Sequence, residues 1–453
     1  MDFIETVKSA GIVGAGGAGF PTHVKLNAKA EYLIINAAEC EPLIETDKFL
    51  CRTYADEIVD AIVATSKHLE AKKTVIALKG IYQAEIDSLS AAIKRAGAKI
   101  DIVKMPTFYP AGDEQTMVQF VTGRSVPERG LPLAVGAVVD NVGTMLNIHN
   151  ALKGKPVEDK YLSVVGEVKN TIMLHVPIGT SVVDCINQAG PLIDDYVIIM
   201  GGPMMGHVFT DPEVIAKSVV SKTTGNIMVL PKDHYLIKRA TKPIERIRHE
   251  TKSACIQCRM CTDLCPRYQL GHQIRPHHVM RNFWREDTIT DDEEYLRCFG
   301  DALNCCDCGV CEMFSCPMGL SPRKVNAYFK QMLRSKKLDM PKNQNPQSLP
   351  TIDYRRIPTG RLIARLGLLK YYGIHAHDCI EYVPGSVYVP FRQHIGKPAV
   401  PQVKVGDAVE KGQLIAAAAE GLSANIHCGL KGIVKSVDAD GALICSEGGN
   451  KSK

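Results

Sequence analysis

Ten of the chain's 16 cysteines fall between Cys255 and Cys316, and eight of them form two runs. The first is Cys255-x2-Cys258-x2-Cys261-x3-Cys265-Pro266. The second is Cys305-x2-Cys308-x2-Cys311-x4-Cys316-Pro317, one residue longer in its last gap. Two-residue gaps let three thiolates curl round one face of a [4Fe–4S] cube, and a proline after the fourth cysteine turns it away. Thiolates in Cys-x2-Cys pairs also build tetrahedral zinc sites, usually from two well-separated pairs. Three evenly spaced cysteines followed by one before a proline, twice over, favour clusters.

The rest of the composition is that of an ordinary globular protein. The 453 residues are 45% apolar and 23% charged, enough for two to four domains. The formal charge of +5 is too mild to suggest a nucleic-acid partner. Asp2, Glu5 and Lys8 interrupt the first residues, so no export leader is expected, and metal or redox chemistry is a better use of the thiols than disulfides. Apolar runs such as Leu131 to Val139 are strand-length, so no transmembrane segment is expected.

In proteins with two such runs, the fourth cysteine of each ligates the other cluster. This assigns Cys255, Cys258, Cys261 and Cys316 to one cluster, and Cys305, Cys308, Cys311 and Cys265 to the second. Cys298 and Cys306 fit neither spacing and read as spectators. Two neighbouring clusters relay single electrons.

The N-terminal third alternates between helical and strand-like segments. Strands are expected at Glu31 to Asn36, Thr74 to Leu78 and Lys99 to Lys104, with helices at Asp56 to Leu69 and Glu85 to Ala96. This predicts a parallel sheet flanked by helices, with ligands outside the carboxyl ends of strands. A glycine loop, GIVGAGGAGFPTHVK, covers residues 11–25. It matches G-x-G-x-x-G at Gly14, Gly16 and Gly19, with Gly17 between, but no clear strand precedes it. On its own the match leaves a phosphate-binding loop and a merely flexible loop equally open. Asn36-Ala-Ala-Glu39-Cys-Glu41-Pro42 and Tyr109-Pro-Ala-Gly112-Asp113-Glu114 each follow an expected strand. Their acids would suit ribose hydroxyls or an amide, although solvated loop charges are the commoner case.

GAGGAGFPTHVK, NAAECEP, YPAGDE and VVDNVGT, in this order, resemble the four signature segments of the FMN- and NADH-binding subunit of respiratory complex I. The resemblance implies a Rossmann-like domain holding FMN, with NADH stacked on the flavin. Carried over by position, it places Gly17, Lys25, Asn36 and Asn141 at the flavin and Thr144 near its phosphate, with Gly14, Gly16, Gly19, Glu39 and Gly112 as further cofactor-binding residues. It places Phe20 against the nicotinamide dinucleotide, with Glu41 and Glu114 facing NADH. Ala15 stands where the family has arginine, Ala38 and Asp140 replace an aspartate and an asparagine, and Gly143 replaces a glutamate.

Residues 160–230 resemble the small β-grasp (SLBB-like) module that follows the flavin domain in the same family, with the Gly201–Gly206 loop expected to be a turn facing that domain. His277 and His278 read as helix-surface residues rather than ligands. PKNQNPQSLP has the composition of a linker, and Arg361 to Tyr372 reads as a basic amphipathic helix packed on its own protein. The last unit resembles a barrel-sandwich hybrid domain, as in biotinyl and lipoyl carriers. The carriers' modifiable lysine, expected near Leu422 and Ser423, is missing.

The expected architecture is therefore multidomain α/β. A Rossmann-like flavin domain covers 1–158, a β-grasp domain 159–240, and a helical dicluster ferredoxin-like domain 241–340. A linker and helix cover 341–379, and a β barrel-sandwich hybrid covers 380–453. The chain resembles the RnfC-like branch of the complex I flavoprotein family. In the Rnf subunit the sandwich typically comes first. Here it comes last, the order of the PduS-type cobalamin reductases. That resemblance implies electron flow from NADH through FMN and two [4Fe–4S] clusters to a corrinoid. It also implies cytoplasmic placement, extending to a bacterial microcompartment, and assembly as a homo-oligomer or larger redox complex. An electron-transfer subunit working with ferredoxin or a partner reductase is the alternative. A structural adaptor with a decayed flavin site is another.

Overall fold

The computed structural model describes residues 2–376 and 378–446, so the last seven residues of the expected 380–453 unit lie outside it. The N-terminal unit is a four-stranded parallel sheet, in the order Asp101–Met105, Lys73–Lys79, Tyr32–Asn36, Ala137–Asn141. Both faces are covered. Leu33 and Ile35 join the core under helices Ala55–Leu69 and Val142–Leu152, whereas Ile34 and Val139 face the core that contains Met117 and Val118 of helix Glu114–Thr122. Near-continuous apolar strands are what a sheet buried on two faces requires. The chain order reverses between Tyr32–Asn36 and Ala137–Asn141, which makes the gap between their carboxyl ends the topological switch point.

A six-stranded mixed sheet follows, built on strands Asp159–Gly166, Ile172–Pro177, Tyr196–Met200, His207–Phe209 and Asn226–Pro231. Its sixth strand, Cys379–Glu381, comes from far along the chain and pairs in parallel with Ile172–Pro177. The cysteine-rich region consists of short helices and turns around Phe283, Phe299 and Phe329, the last two stacked with ring centroids 3.7 Å apart. Strands from Ser386–Pro390 to Gly441–Cys445 form two small sheets of four and three strands.

Two segments differ from expectation. Residues 341–350 have the composition of a linker but are pinned along their length: the Asn343 amide donates to Glu128 Oε2 (3.0 Å) and the Leu349 amide to the Gln269 carbonyl (2.8 Å). The expected helix over 361–372 runs only from Thr359 to Arg365. Gly367, with φ of +72°, turns the chain, and a short 3-10 turn follows at Leu369–Tyr371. Leu362, Ile363 and Leu366 are buried in the protein's own core, as expected of a self-packing helix, while Leu369 is exposed.

Candidate flavin and iron–sulfur site

Asn36 and Asn141 end the two central strands and sit directly opposite each other in the ladder, at the switch point. Each side chain ties down a loop. Asn36 Nδ2 donates to the Gly112 carbonyl (2.9 Å) and its Oδ1 accepts from the Ala38 amide (3.0 Å). Asn141 Oδ1 caps the next helix by accepting from the Gly143 amide (2.8 Å), and its Nδ2 donates to Asp47 Oδ2 (2.7 Å). A side chain at residue 143 would bring its Cβ to 3.1 Å from Asn141 Oδ1, so glycine suits the turn.

The glycine loop folds back on itself beside this pair. Gly14 donates to the Phe20 carbonyl (2.9 Å) and Gly19 to the Gly14 carbonyl (3.2 Å), leaving Gly16, Gly17 and Ala18 as an exposed crown and Phe20 half-buried. Gly17 has φ of +105°, and a Cβ there would meet no atom within 4 Å. That open space above a bare backbone is where a flat ring or phosphate can lie against the chain. Thr144 Oγ1 accepts from the Ala15 amide (3.0 Å), which ties the loop to the helix after Asn141. The Ala15 position lacks the family's arginine, yet a cation reaches the same loop: Lys160, from the six-stranded sheet, donates to the Ala15 carbonyl (3.3 Å).

Lys25 donates to the Val139 carbonyl (2.8 Å) and pairs with Glu114 (3.3 Å). Burial opposes its charge, but Asp140 and Glu114 outweigh burial and hold the ammonium above its ordinary pKa. Glu41 is roofed by the Gly201–Gly206 loop: its Oε2 accepts from the Met204 amide (2.8 Å), and a Cβ on Gly202 would strike the carboxylate at 2.1 Å. This loop faces the flavin unit, as expected. Burial pushes Glu41 up to about 7 and Glu39 up to about 8. A fold that raises a carboxyl group's pKa binds its proton more tightly than the unfolded chain does. The stability linked to these two groups is therefore full at acidic pH and is lost as pH rises from the ordinary carboxylate range to about 8. Thermal unfolding followed across that range should show Tm falling with rising pH, and the fall should flatten in a Glu39→Gln, Glu41→Gln double variant.

The cysteine runs lie against this pocket. The Tyr109 hydroxyl donates to the Cys308 carbonyl (2.7 Å), so the second run touches the loop that carries Gly112. Arg267, two residues after Cys265, makes a buried two-pronged pair with Asp113 (2.6 and 2.8 Å). The thiols of Cys255, Cys258, Cys261 and Cys316 are electrostatic neighbours, and Cys265 neighbours Cys305, Cys308 and Cys311, with the Cys306 thiol, expected to be a spectator, also set against Cys265, Cys305 and Cys308. Cys261 and Cys311 meet where the two groups adjoin. Among the described residues, no three His, Cys, Asp or Glu side chains close on one point as ligands of a single metal ion would.

The backbone suits clusters. The residues flanking the second cysteine of each run are left-handed: Gln257 and Arg259 (φ +57° and +65°), Asp307 and Gly309 (φ +58° and +78°). Three of these are not glycine, a conformation costing roughly 1–2 kcal/mol each. Such turns direct successive amides inward to make the concavities that hold Fe–S clusters. Donors also point at sulfur: Gln257 Nε2 at Cys255 (3.2 Å), and the amides of Asp307 at Cys305 (3.4 Å) and Leu320 at Cys316 (3.4 Å). Cys308 and Cys311 are buried and Cys258 is exposed, so the first run lies nearer solvent. His277 takes no part, its Nδ1 being 2.7 Å from the Thr262 hydroxyl.

Asp47 and Lys160 lie in no motif, and Tyr109 and Asp113 lie inside YPAGDE, where nothing marks their partners Cys308 and Arg267. Only their long-range partners reveal them.

Family comparisons agree with this division of labour. Models described as the Nuo51 FMN-binding domain, the SLBB domain, the 4Fe-4S dicluster domain and the RnfC barrel sandwich hybrid domain match residues 7–150, 161–208, 254–321 and 379–446. A subunit of the ion-translocating oxidoreductase complex of Vibrio cholerae is 34% identical over 62% of this chain and 35% of its own length. A solved NAD+-reducing [NiFe]-hydrogenase aligns over 75% of this chain and 63% of its own at 22% identity, with a TM-score of 0.49. The cobalamin reductase PduS of Citrobacter freundii is 40% identical over 96% of this chain and 94% of its own length. With an FMN-binding domain and a 4Fe-4S dicluster domain matched along it, this oxidoreductase belongs to the family of the PduS cobalamin reductases.

Proposed function

We propose that the chain carries electrons from NADH to a corrinoid, and that the five units 1–158, 159–240, 241–340, 341–379 and 380–453 divide that work. Bound FMN would supply two-electron hydride chemistry and one-electron release, and two clusters held by the cysteine runs would supply single-electron relay. The glycine crown and Gly112 give the flavin a close backbone approach, and Asn36, Asn141 and Thr144 fix the loops around it. Lys25 supplies positive charge. Phe20 offers a ring for the nicotinamide, with Glu39, Glu41 and Glu114 beside it. Cys255, Cys258, Cys261 and Cys316 hold one cluster, and Cys265, Cys305, Cys308 and Cys311 the other. The observation that carries this reading is the contact between Tyr109 and Cys308, which sets the flavin pocket directly against the second cysteine run. Cys258 of the first run, which is exposed, then faces outward.

The corrinoid as acceptor rests on the near full-length similarity to a cobalamin reductase. The same reading places the protein in the cytoplasm, within a bacterial microcompartment alongside a corrinoid-dependent enzyme. A second reading, exchange with ferredoxin or a partner reductase, is favoured by 32% identity over 61% of the chain to a subunit of a ferredoxin:NAD(+) oxidoreductase complex from Acetobacterium woodii. The adaptor reading has less support, because the substituted positions are built into the pocket: the amides of Ala15, Ala38 and Gly143 all bond to cradle side chains. Anaerobic NADH oxidation with cob(III)alamin, ferredoxin and ferricyanide in parallel separates the three. Cobalamin reduction coupled to NADH loss is the expected result. NADH loss with ferricyanide but an unchanged corrin spectrum would overturn the corrinoid reading.

A further inference from the structure

Lys160 is a buried cation beneath the glycine crown. It stands on strand Asp159–Gly166 of the six-stranded sheet and is only 8% exposed. Among the described residues its ammonium donates only to the Ala15 carbonyl (3.3 Å), and no carboxylate holds it in an ion pair. The two acids whose charges it feels have other partners. Asp47 accepts from Asn141 Nδ2 (2.7 Å), and Asp159 lies 3.2 Å from His175 Nε2. Burial outweighs both acids and lowers the ammonium to about 8. The neighbouring lysines differ, because Lys25 is paired with Glu114 and Lys48 with Glu45. A buried charge matched only by a carbonyl leaves room for an anion to complete it.

The peptide that Lys160 holds aims its other end at the crown. In a planar trans peptide the C=O and the following N–H point in opposite directions. The Ala15 carbonyl is turned inward onto Lys160, so the Gly16 amide points away from it, on the exposed side of the loop. A cation on the carbonyl oxygen polarises the peptide and makes that N–H a better donor. The Ala15 amide is already used, donating to Thr144 Oγ1 (3.0 Å). The amides of Gly16, Gly17 and Ala18 have no acceptor among the described residues, and all three residues are exposed. Successive free amides in a turn, with a positive charge behind them, form a concavity that suits an anion.

We propose that Lys160 makes this site select a phosphorylated flavin over an uncharged one. It is a positioning residue. It acts through the Ala15–Gly16 peptide and through its own field, which is poorly screened at a buried site, and it touches neither the ring nor the phosphate. The inference rests on the reading of the glycine crown as the flavin site. The preference for FMN over riboflavin then comes from the sheet next door, not from the glycine loop alone. Residue 15 can be an alanine because a cation reaches the same peptide from below.

The test is equilibrium titration of the full-length protein, stripped of flavin under anaerobic conditions, with FMN and with riboflavin, which lacks only the phosphate. Wild type is compared with Lys160→Met, Lys160→Arg and Gly17→Val, and iron content checks that each variant is folded. In Lys160→Met the FMN affinity should fall by at least about 10-fold while the riboflavin affinity holds. Lys160→Arg should keep the wild-type preference. Lys160→Gln, which offers the Ala15 carbonyl a donor without the charge, should lose the preference as methionine does, and it replaces methionine if that variant does not fold. A lysine that only props up the loop would weaken both flavins together, and that result overturns the proposal. So does an unchanged preference for FMN in Lys160→Met. If Gly17→Val loses both flavins while Lys160→Met behaves as wild type, the crown reading stands and the role of Lys160 fails. If Gly17→Val binds as wild type does while Lys160→Met loses FMN alone, the crown reading fails and the role of Lys160 stands.

Discussion

A Gly17→Val variant is expected to keep its iron and acid-labile sulfide and lose its flavin. At φ of +105° a branched side chain is strained, at roughly 1–2 kcal/mol or more. The added methyl groups also project into space that is empty in the structure. Strain and obstruction act together against the bound state, so FMN affinity should fall at least about 100-fold, or ~2.7 kcal/mol. Flavin released by denaturing the purified protein measures the loss, and iron analysis of the same sample shows whether the cysteine region is intact. Flavin bound at the wild-type level would mean that the cofactor does not approach this crown.

The other large effect concerns Cys308. It is buried, its carbonyl is tied to Tyr109, and its thiol lies among those of Cys306, Cys265 and Cys311. A Cys308→Ala variant should lose one cluster of the two, so iron and sulfide fall to roughly half, while flavin stays. NADH should still bleach the flavin, because hydride transfer needs only the N-terminal pocket. Transfer onward to one-electron acceptors should drop close to the rate without protein, since the missing cluster adjoins the flavin unit. Cys306→Ala is the control and should leave iron and sulfide unchanged. Equal losses in both variants would show that Cys306 is a ligand.

The residues easiest to find in the sequence are those whose chemistry is local. Cysteine spacing announces clusters because three ligands of a cube come from one turn of chain. The paired asparagines were visible for a similar reason, since each ends a strand and begins a loop. What was hidden depends on distant partners. Lys160 is one lysine on a strand, and nothing nearby in sequence says that it reaches Ala15. The Asp113–Arg267 pair spans two units, and its members sit inside motifs that explain them otherwise. Composition misled where tertiary bonds took over: PKNQNPQSLP reads as a free tether, but Glu128 and Gln269 fix it in place. Periodicity overran at residues 361–372 because apolar spacing continues past Gly367 while the backbone does not. Cys379–Glu381 straddles the boundary expected between linker and last unit at 379 and 380 but completes another unit's sheet, as pairing partners are not encoded in a strand's own residues.

The C-terminal sandwich leans on the start of the chain. The Ile395 amide donates to the Gly19 carbonyl (3.1 Å) and Asn425 Nδ2 to the Ser9 carbonyl (3.2 Å). Lys222 joins both, bonding the carbonyls of Gly11 and Asn425 (2.5 Å each). The sandwich thus braces the glycine loop from outside, through bonds that ignore where it stands in the gene. Shuffling that module from one end of the reading frame to the other would preserve every one of these bonds, because the helix Phe3–Ser9 already lies beside it. The order of the modules along the chain can then differ while the bracing of the glycine loop stays the same.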